Sequence, residues 1–298
     1  MRILLTGKNG QVGWELSRAL APLGEVVAFG REELDLAVPD RIVSAVRTVR
    51  PDVIANAAAY TAVDRAESEP EAAHTINAVA AGILAEEAKR AGALLVHYST
   101  DYVFDGAKNA PYVEEDPPNP LNAYGRSKLV GEYSIRAAGA PHLILRTSWV
   151  YAARGKNFFM TILRMLREKN PLRIVTDQIG APTSAGALAD ATAELLRRYD
   201  TLALGKMSGT YHATAGGSTS WYGFAAQIAQ LERAALPQMP PIVPIASSEY
   251  PLPAPRPKNS RLSNEKLLRR FGVKLPPWEV CLEACHARLR QGGPARES

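Results

Sequence analysis

Tyr124 and Lys128 carry the two side chains of this chain whose types and spacing best fit proton transfer. They stand four residues apart in a segment with a helical pattern, so they share one face of that helix. A phenol loses its proton near pH ~10, and an ammonium group a few ångströms away lowers that pKa. The pair could therefore exchange a proton with a substrate oxygen, as a general acid or base does. This spacing alone is a weak signal, because many helices contain it by chance.

Thr100 is a third polar residue in a position suited to chemistry. It follows the apolar run Leu94–Tyr98, which predicts a buried strand. Its hydroxyl would then lie at the carboxyl end of that strand, where open α/β sheets bind their ligands. Whether these three side chains meet depends on the elements that position them.

The first of those elements are a strand, a glycine-rich turn and a helix. The apolar run Arg2–Thr6 predicts a buried strand, and the sequence GKNGQVG and a helical pattern follow it. Gly7 permits a tight turn, Gly10 lets the backbone approach a pyrophosphate, and Gly13 lets helix and sheet pack closely. The first N–H groups of the helix favour the anion. In this context the glycine spacing predicts a dinucleotide site.

The end of the second predicted strand, Glu25–Phe29, indicates which dinucleotide binds. An acid at this point binds the ribose 2′-OH of NAD, whereas an arginine accommodates the 2′-phosphate of NADP. Here Gly30 and Arg31 follow the strand, which favours NADPH. Glu32 and Glu33 come directly afterwards, so NADH stays open as the alternative cofactor.

Strands and helices alternate along the first half of the chain. This alternation predicts an α/β fold, a Rossmann-like doubly wound parallel sheet. Prolines and loops increase beyond about Trp149, which indicates a smaller C-terminal substrate-binding lobe. We expect an NAD(P)-binding domain over 1–150, a mainly substrate-binding lobe over 151–290 with some segments returning to the core, and a disordered tail over 291–298.

Composition excludes several classes of protein. The net charge of +5 is spread over 298 residues without a basic run, so we expect no nucleic-acid partner. No apolar window reaches about 18 residues, so we expect no membrane span. Cys281 and Cys285 lie near His286, but no second ligand pair exists, which favours packing on one helix face over a metal site. Scarce cysteine and the lack of a signal peptide predict a cytoplasmic protein.

The order of GxxGxxG, a threonine after a middle strand, and YxxxK in the next helix resembles the extended short-chain dehydrogenase/reductase superfamily. Longer stretches, between Met1 and about Leu289, are similar to the dTDP-4-dehydrorhamnose reductase family. They are Asn56–Asp64 with Glu67, Ser99–Gly106, Arg146–Tyr151, Asp177–Thr183 and Arg256–Ser260. This resemblance implies reduction of a 4-keto nucleotide sugar, dTDP-4-dehydro-L-rhamnose, with NAD(P)H, for cell-surface polysaccharide.

The resemblance also implies roles for individual residues. Tyr124 would donate the proton, Lys128 would lower its pKa and hold the nicotinamide ribose, and Thr100 would bond the 4-oxygen. The remaining substrate contacts would come from Asp101, Tyr102, Trp149 and Arg256. The cofactor contacts would come from Gly7, Gly10, Gln11, Val12, Gly13, Arg31, Asp35, Leu36, Ala59, Tyr60 and Thr61, together with Tyr124 and Lys128.

Some of these roles have a structural alternative. Trp149 could belong to the core, Arg256 could form a surface ion pair, and Asp35 could cap a turn. Some members of the family are dimers bridged by magnesium. Glu15 is present, but the loop Thr183–Gly186 offers no carboxylate, so we predict no metal ion and leave a homodimer open.

Other functions on the same fold remain as rivals. A sugar dehydratase would place a second acid after Asp101, where this chain has Tyr102. A 4-epimerase would keep both Tyr124 and Lys128, so those two residues do not distinguish it. A non-catalytic regulatory subunit is disfavoured, because Thr100 is intact together with that pair.

Overall fold

The computed structural model describes residues 1–168 and 170–291. Its strands are β1 (Arg2–Thr6), β2 (Glu25–Phe29), β3 (Val53–Asn56), β4 (Leu94–Thr100), β5 (His142–Thr147), β6 (Val150–Tyr151), β7 (Leu172–Val175), β8 (Ile179–Gly180), β9 (Thr183–Ser184), β10 (Gly209–His212), β11 (Thr219–Ser220) and β12 (Ile242–Ile245). Its α-helices are α1 (Gln11–Leu20), α2 (Pro39–Val49), α3 (Val63–Ser68), α4 (Pro70–His74), α5 (Ala80–Ala91), α6 (Ala123–Ala138), α7 (Phe158–Met165), α8 (Ala185–Arg198), α9 (Thr201–Lys206), α10 (Trp221–Glu232), α11 (Glu265–Phe271) and α12 (Trp278–Gln291). A π-helical segment, Thr75–Val79, joins α4 to α5, and short 3₁₀ turns occupy Ala21–Leu23, Asp101–Val103 and Ser247–Glu249.

A six-stranded parallel sheet forms the centre of the fold, in the order β2-β1-β3-β4-β5-β10. The chain adds β2 on one side of β1 and β3 on the other, so the strand order reverses between β1 and β3. Such a reversal opens a crevice at the carboxyl ends of the strands, which is where this class of sheet binds ligands. The predicted α/β, Rossmann-like sheet is confirmed.

Helices cover both faces of this sheet. Successive side chains of a strand point to opposite faces, and both faces of β1 are apolar. Ile3 and Leu5 pack with α1 and α8 in one buried cluster, whereas Leu4 packs with α2 and α5 in another. Strands covered on both faces read as continuous apolar runs, which is why β1 and β4 were recognisable in the sequence.

Segments from the second half of the chain also build this core. β10 pairs in parallel with β5, and α8 contributes Leu188 and Leu195 to the cluster around α1. A separate cluster, which includes Phe159 and Phe224, joins α7, α10 and α12. Cys281 and Cys285 lie buried in this cluster as small apolar side chains. The division at residue 150 remains a prediction.

The structure describes only the first residue of the predicted disordered tail, 291–298. Gln291 ends α12 and is therefore helical, and the rest of the tail, 292–298, lies outside the described residues. Within the described ranges, no helix combines the length and apolar character needed to cross a bilayer.

Candidate active site

A cavity of about 910 Å³ lies at the carboxyl ends of the central strands. It brings together most of the residues that the sequence predicted. Those lining it are Gly7, Gly10, Gln11, Val12, Arg31, Asp35, Leu36, Ala59, Tyr60, Thr61, Thr100, Asp101, Tyr102, Tyr124, Lys128 and Trp149. Gly13 and Arg256 are predicted site residues that do not line it. A smaller cavity of about 530 Å³ between α8 and α12 contains none of the predicted site residues.

The glycine turn between β1 and α1 forms one end of the cavity. Gly7 has a left-handed backbone with φ of +74°, and its carbonyl accepts a hydrogen bond of 2.9 Å from the Gly10 N–H. A Cβ at Gly13 would lie 2.0 Å from the Gly7 oxygen, so Gly13 allows α1 to start directly on the turn. No side chain caps this helix, which leaves its first N–H groups available to an anion.

The segment after β2 lies at the mouth of the same cavity. Arg31 is exposed there and forms no ion pair with any residue in the described part of the chain. Glu33 instead accepts a 2.6 Å bond from the Gly30 N–H and contacts the Lys8 ammonium, which lowers the pKa of Glu33. Asp35 accepts a 2.9 Å bond from the Ala37 N–H, the turn-capping alternative noted above.

The loop after β3 is held by Asn77 of the π-helical segment. The Asn77 amide accepts from the Tyr60 N–H at 2.8 Å and donates to the Tyr60 carbonyl at 3.0 Å. It also donates to the Ser127 hydroxyl on α6 at 2.9 Å. One buried amide therefore ties Ala59–Thr61 to the helix that carries Tyr124 and Lys128. Sequence reasoning missed this residue, because its contacts lie far away along the chain.

Tyr124 lies in the first turn of α6, which is anchored at its start. The Asn122 side chain caps this helix by accepting from the Gly125 N–H at 2.8 Å. The Tyr124 ring meets Tyr102 edge-on, with centroids 5.7 Å apart. Burial raises the pKa of the Tyr124 phenol to about 12, although the Thr100 hydroxyl opposes that effect. The phenol is therefore protonated at neutral pH.

Lys128 is fully buried, with 2% of its surface exposed. Its ammonium group donates to the Tyr98 carbonyl at 2.7 Å and lies 3.1 Å from Nε2 of His97. Burial lowers the pKa of Lys128 to about 8, while the charge of Glu132 opposes that shift. Desolvation of the phenol raises the pKa of Tyr124, and a lowering of that pKa by the Lys128 ammonium remains a prediction.

Thr100 and Asp101 form a tight pair at the end of β4. The Thr100 hydroxyl accepts from the Tyr102 N–H and donates to Oδ1 of Asp101, both at 3.1 Å. The other carboxyl oxygen of Asp101, Oδ2, is buried and has no hydrogen-bond partner among the described residues. Burial raises the pKa of Asp101 to about 6, and the nearby hydroxyls of Ser260 and Thr100 oppose it, although only Thr100 lies in hydrogen-bond geometry with this carboxyl group. A buried acceptor of this kind requires a donor, such as a ligand hydroxyl.

Aromatic side chains form the opposite wall of the cavity. Trp149 stacks on Trp221 of α10, and Phe158 of α7 contacts Trp221 at 4.6 Å between centroids. The sequence pointed to Trp149 but not to its two partners. Only the capping serine at the start of α10, Ser220, marked that region as the beginning of a helix.

Arg256 lies outside the cavity lining, in a two-bonded ion pair. Its guanidinium donates to the Asp64 carboxylate at 3.0 and 2.8 Å, and to the Ala254 carbonyl at 2.6 Å. The structure therefore contains an ion pair at Arg256, which was the alternative to substrate binding. Burial alone would raise the pKa of Asp64, but the Arg256 guanidinium outweighs that effect and the pKa is lowered. Contact of Arg256 with substrate remains a prediction.

A parallel sheet with a glycine turn after β1 and a threonine, tyrosine and lysine at its switch point defines a short-chain dehydrogenase/reductase type of enzyme. The family model described as "RmlD substrate binding domain" matches residues 1–291. The chain belongs to the dTDP-4-dehydrorhamnose reductase family. The predicted class, an NAD(P)H-dependent oxidoreductase, is thereby confirmed.

Individual relatives cover nearly the whole chain. The dTDP-4-dehydrorhamnose reductase of Burkholderia thailandensis is 52% identical over 292 residues, which is 96% of this chain and 98% of that protein. The Escherichia coli K12 reductase of the same name is 48% identical over 288 residues, 94% of this chain and 95% of that protein. The crystal structure of the Bacillus anthracis reductase in complex with NADP is 36% identical, has a TM-score of 0.88, and covers 96% of this chain and 99% of its own.

Proposed function

We propose that this chain reduces the 4-keto group of dTDP-4-dehydro-L-rhamnose with NADPH and so makes dTDP-L-rhamnose for cell-surface polysaccharide. One observation carries the proposal: Thr100, Tyr124 and Lys128 line a single cavity together with the glycine turn, at the switch point of the sheet. The choice of sugar nucleotide is supported by the names of the relatives, of which that from Burkholderia thailandensis is 52% identical.

The residues of the cavity fit a dinucleotide with a 2′-phosphate. At Gly7 a Cβ would approach the Ala58 nitrogen to 2.8 Å, so glycine lets the turn pack against the loop after β3. Gly10 lets the backbone of the same turn approach a pyrophosphate. Arg31 offers an exposed guanidinium for the 2′-phosphate. The predicted NADPH agrees with the NADP complex of the Bacillus anthracis relative, and NADH is the alternative. When bound, NADPH supplies the hydride that C4 of the sugar receives.

Tyr124 delivers the proton that the 4-oxygen needs once C4 has received hydride. Its phenol has a pKa of about 12, so it keeps its proton until a stronger base, the sugar alkoxide, forms beside it. The Thr100 hydroxyl, which donates to Oδ1 of Asp101 in the structure, would turn its one proton toward the same oxygen. The Lys128 ammonium stabilises the phenolate that remains on Tyr124 after the transfer.

Asp101 and the aromatic wall orient the sugar nucleotide. The unpartnered Oδ2 atom of Asp101 accepts a hydrogen bond from a sugar hydroxyl, which satisfies an otherwise orphaned buried oxygen. Trp149 offers a flat apolar surface to the sugar or its base, and Tyr102 lies beside Tyr124 at the reacting end.

We propose the cytoplasm as the place of action. Cys281 and Cys285 are both free thiols, as proteins of a reducing compartment keep them. Assembly into a homodimer stays a prediction.

A coupled assay tests the reaction. The purified chain is mixed with dTDP-4-dehydro-L-rhamnose and NADPH, and the loss of NADPH absorbance is followed. The same assay is repeated with NADH and with a UDP-4-keto sugar. We expect NADPH oxidation with the dTDP substrate and formation of dTDP-L-rhamnose. Tightly bound NAD without net NADPH oxidation would point to the epimerase instead, and inactivity with a stoichiometric partner protein would point to the regulatory subunit.

A further inference from the structure

Two groups of strand β4 contact the Lys128 nitrogen. The Tyr98 carbonyl of β4 accepts one of its N–H groups at 2.7 Å, and Nε2 of His97 lies 3.1 Å from the same nitrogen. His97 is 1% exposed, so water cannot take its place. An ammonium group has three N–H bonds. With two of them held by β4, the third is left for the cavity and the groups that bind there.

His97 is itself fixed by a row of polar side chains across three strands. Thr6, Asn56 and His97 occupy paired positions on β1, β3 and β4, so their side chains stand next to each other on one face of the sheet. Nδ2 of Asn56 lies 3.0 Å from Nδ1 of His97, and Oδ1 of Asn56 accepts from the Thr6 hydroxyl at 2.6 Å. The Thr6 hydroxyl accepts from the Ala58 N–H at 3.2 Å, at the edge of the cavity.

The numbers of hydrogen-bond donors and acceptors limit the protonation states and amide orientations that His97 and Asn56 can adopt. A neutral imidazole has one donor and one acceptor nitrogen, and burial lowers the pKa of His97, which keeps the ring neutral. If Lys128 is charged, it only donates, so Nε2 must accept and Nδ1 must carry the proton. Asn56 then has to turn its amide oxygen toward Nδ1 and its NH₂ group toward Thr6, which reverses the amide orientation in the structure. The opposite tautomer places an N–H on Nε2, and that N–H needs an uncharged Lys128 amine.

We propose that His97 is a positioning residue: as the Nδ1–H tautomer, fixed by Asn56, it accepts a hydrogen bond from the Lys128 ammonium and keeps that group charged beside Tyr124. This inference rests on the proposed function only for its catalytic consequence. A charged Lys128 stabilises the phenolate formed on Tyr124, and a neutral one does not. His97 touches neither the sugar nor the reacting atoms.

Other ionisable groups near Lys128 can also affect its charge. On α6, Glu132 favours the ammonium, but its carboxylate is bound by Arg146 of β5 at 2.7 Å. Tyr124 is neutral, and Asp101 in the 3₁₀ turn borders the same cavity. The phenol of Tyr98 points away from Lys128 to Thr192, at 2.7 Å. None of these groups replaces the acceptor that His97 supplies.

Lysine labelled with ¹³C at Cε tests this by NMR, with the Lys128 signal assigned by its loss in Lys128→Met. In the wild type we expect a titration midpoint near pH 8. His97→Leu should move the midpoint down by roughly one to two pH units, the effect of losing a charge-assisted hydrogen bond. His97→Gln, whose amide oxygen reaches the Nε2 position, should restore most of the shift. An unchanged midpoint in His97→Leu would overturn the proposal.

A matched control and a second measurement keep the test independent of folding defects. His142 is also buried, but it pairs with Leu95 in the sheet and its ring contacts the Ala140 carbonyl at 2.8 Å, so His142→Gln should leave the Lys128 midpoint in place. In unmodified protein labelled with ¹⁵N-histidine, the His97 signals should report a proton on Nδ1 and none on Nε2 at pH values below that midpoint. The reverse tautomer there would contradict the proposal, whatever happens to the variants.

Neither readout requires the sugar substrate, which separates this inference from the proposed reaction. If the wild type fails to reduce dTDP-4-dehydro-L-rhamnose while the Lys128 midpoint still falls in His97→Leu, the reaction is wrong and the role of His97 stands. If the wild type is active and the midpoint does not move, the role of His97 is wrong and the reaction stands.

Discussion

Trp149 and Trp221 lie face to face in the cavity wall, with ring centroids 3.6 Å apart and an angle of 7° between the planes. Trp149 has a left-handed backbone with φ of +49°, a conformation that costs a non-glycine residue roughly 1–3 kcal/mol. Stacking on Trp221 offsets part of that cost. The pair therefore joins the chain after β5 to helix α10 and holds the surface on which a sugar nucleotide would lie.

Replacing Trp221 with Ala should weaken substrate binding more than it slows catalysis. An aromatic pair contributes about 0.5–1.5 kcal/mol beyond its buried area, so we expect KM for the nucleotide sugar to rise about 3- to 10-fold. The Kd for NADPH should change less than this KM, since the stacking partner of Trp221 is Trp149 and not a residue of the glycine turn. Trp221→Phe should recover much of the loss. Steady-state kinetics and NADPH titration measure both effects, and an unchanged KM would contradict the stacking role.

Replacing Gly13 with Ala should disrupt the start of α1. A Cβ there would lie 2.0 Å from the Gly7 carbonyl oxygen, and backbone cannot swing aside as a flexible side chain does. We expect a loss of stability on the order of 1–3 kcal/mol, as in overpacked cores, and weaker NADPH binding. Gly216→Ala is the matched control, because its Cβ would meet its nearest neighbour at 3.6 Å. Urea unfolding compares the two variants, and equal stabilities would argue against this close packing.

Replacing Arg31 with Ala should change the choice of cofactor. If Arg31 binds the 2′-phosphate, its loss removes a charge-assisted contact of about 1.5–3 kcal/mol, or roughly a 10- to 100-fold rise in Kd for NADPH. The Kd for NADH, which has no 2′-phosphate, should stay nearly constant. Arg41→Ala, an exposed arginine outside the cavity, controls for net charge. Equal weakening of NADH and NADPH would remove Arg31 from the cofactor site.

Replacing Asp101 with Asn should stabilise the protein at alkaline pH. The pKa of Asp101 is raised from 3.8 to about 6, so the folded protein holds this proton more tightly than the unfolded chain does. Stability from this group is therefore lost as pH rises through that window. Asp101→Asn should gain on the order of 1–3 kcal/mol in unfolding free energy near pH ~8 and little near pH ~4, at a cost in activity.

Replacing the nearby carboxylate of Asp105 should change the stability in the opposite direction. Asp105 accepts hydrogen bonds from the Ala107 N–H, Tyr112 and Asn119, which lower its pKa, so Asp105→Asn should destabilise the protein at neutral pH. Urea unfolding at both pH values measures the two variants. A stability difference for Asp101→Asn that is the same at both pH values would contradict a raised pKa in the folded state.

Local pattern was sufficient to predict much of the fold. β1 and β2 have the bounds that the apolar runs predicted, and α6 carries Tyr124 and Lys128 on one face of a helix. These features depend on residues near one another in the chain. The parallel sheet followed because strands alternate with helices, and its switch point then determined where the predicted residues would meet.

Packing between distant segments could not be predicted in the same way. His97 looked like one residue of an apolar strand, and only the register of β1, β3 and β4 reveals its contact with Asn56. The pKa of Tyr124 depends on how completely the cavity walls exclude water, and the spacing of Tyr124 and Lys128 in the sequence does not reveal the desolvation that raises it. Arg256 pairs with Asp64 of α3, which lies too far away along the chain for sequence spacing to predict the contact.

The turnover of Tyr124→Phe tests the central claim most directly. The substitution removes only the phenolic hydroxyl of the residue that we propose as the donor of a proton to the 4-oxygen. Tyr133→Phe, on the same helix but 50% exposed, is the control and should match the wild type. With dTDP-4-dehydro-L-rhamnose and NADPH, we predict that kcat of Tyr124→Phe falls by the ~10²–10⁴ typical of a lost general acid, with little change in substrate binding. Turnover at the wild-type rate would contradict Tyr124 as the proton donor.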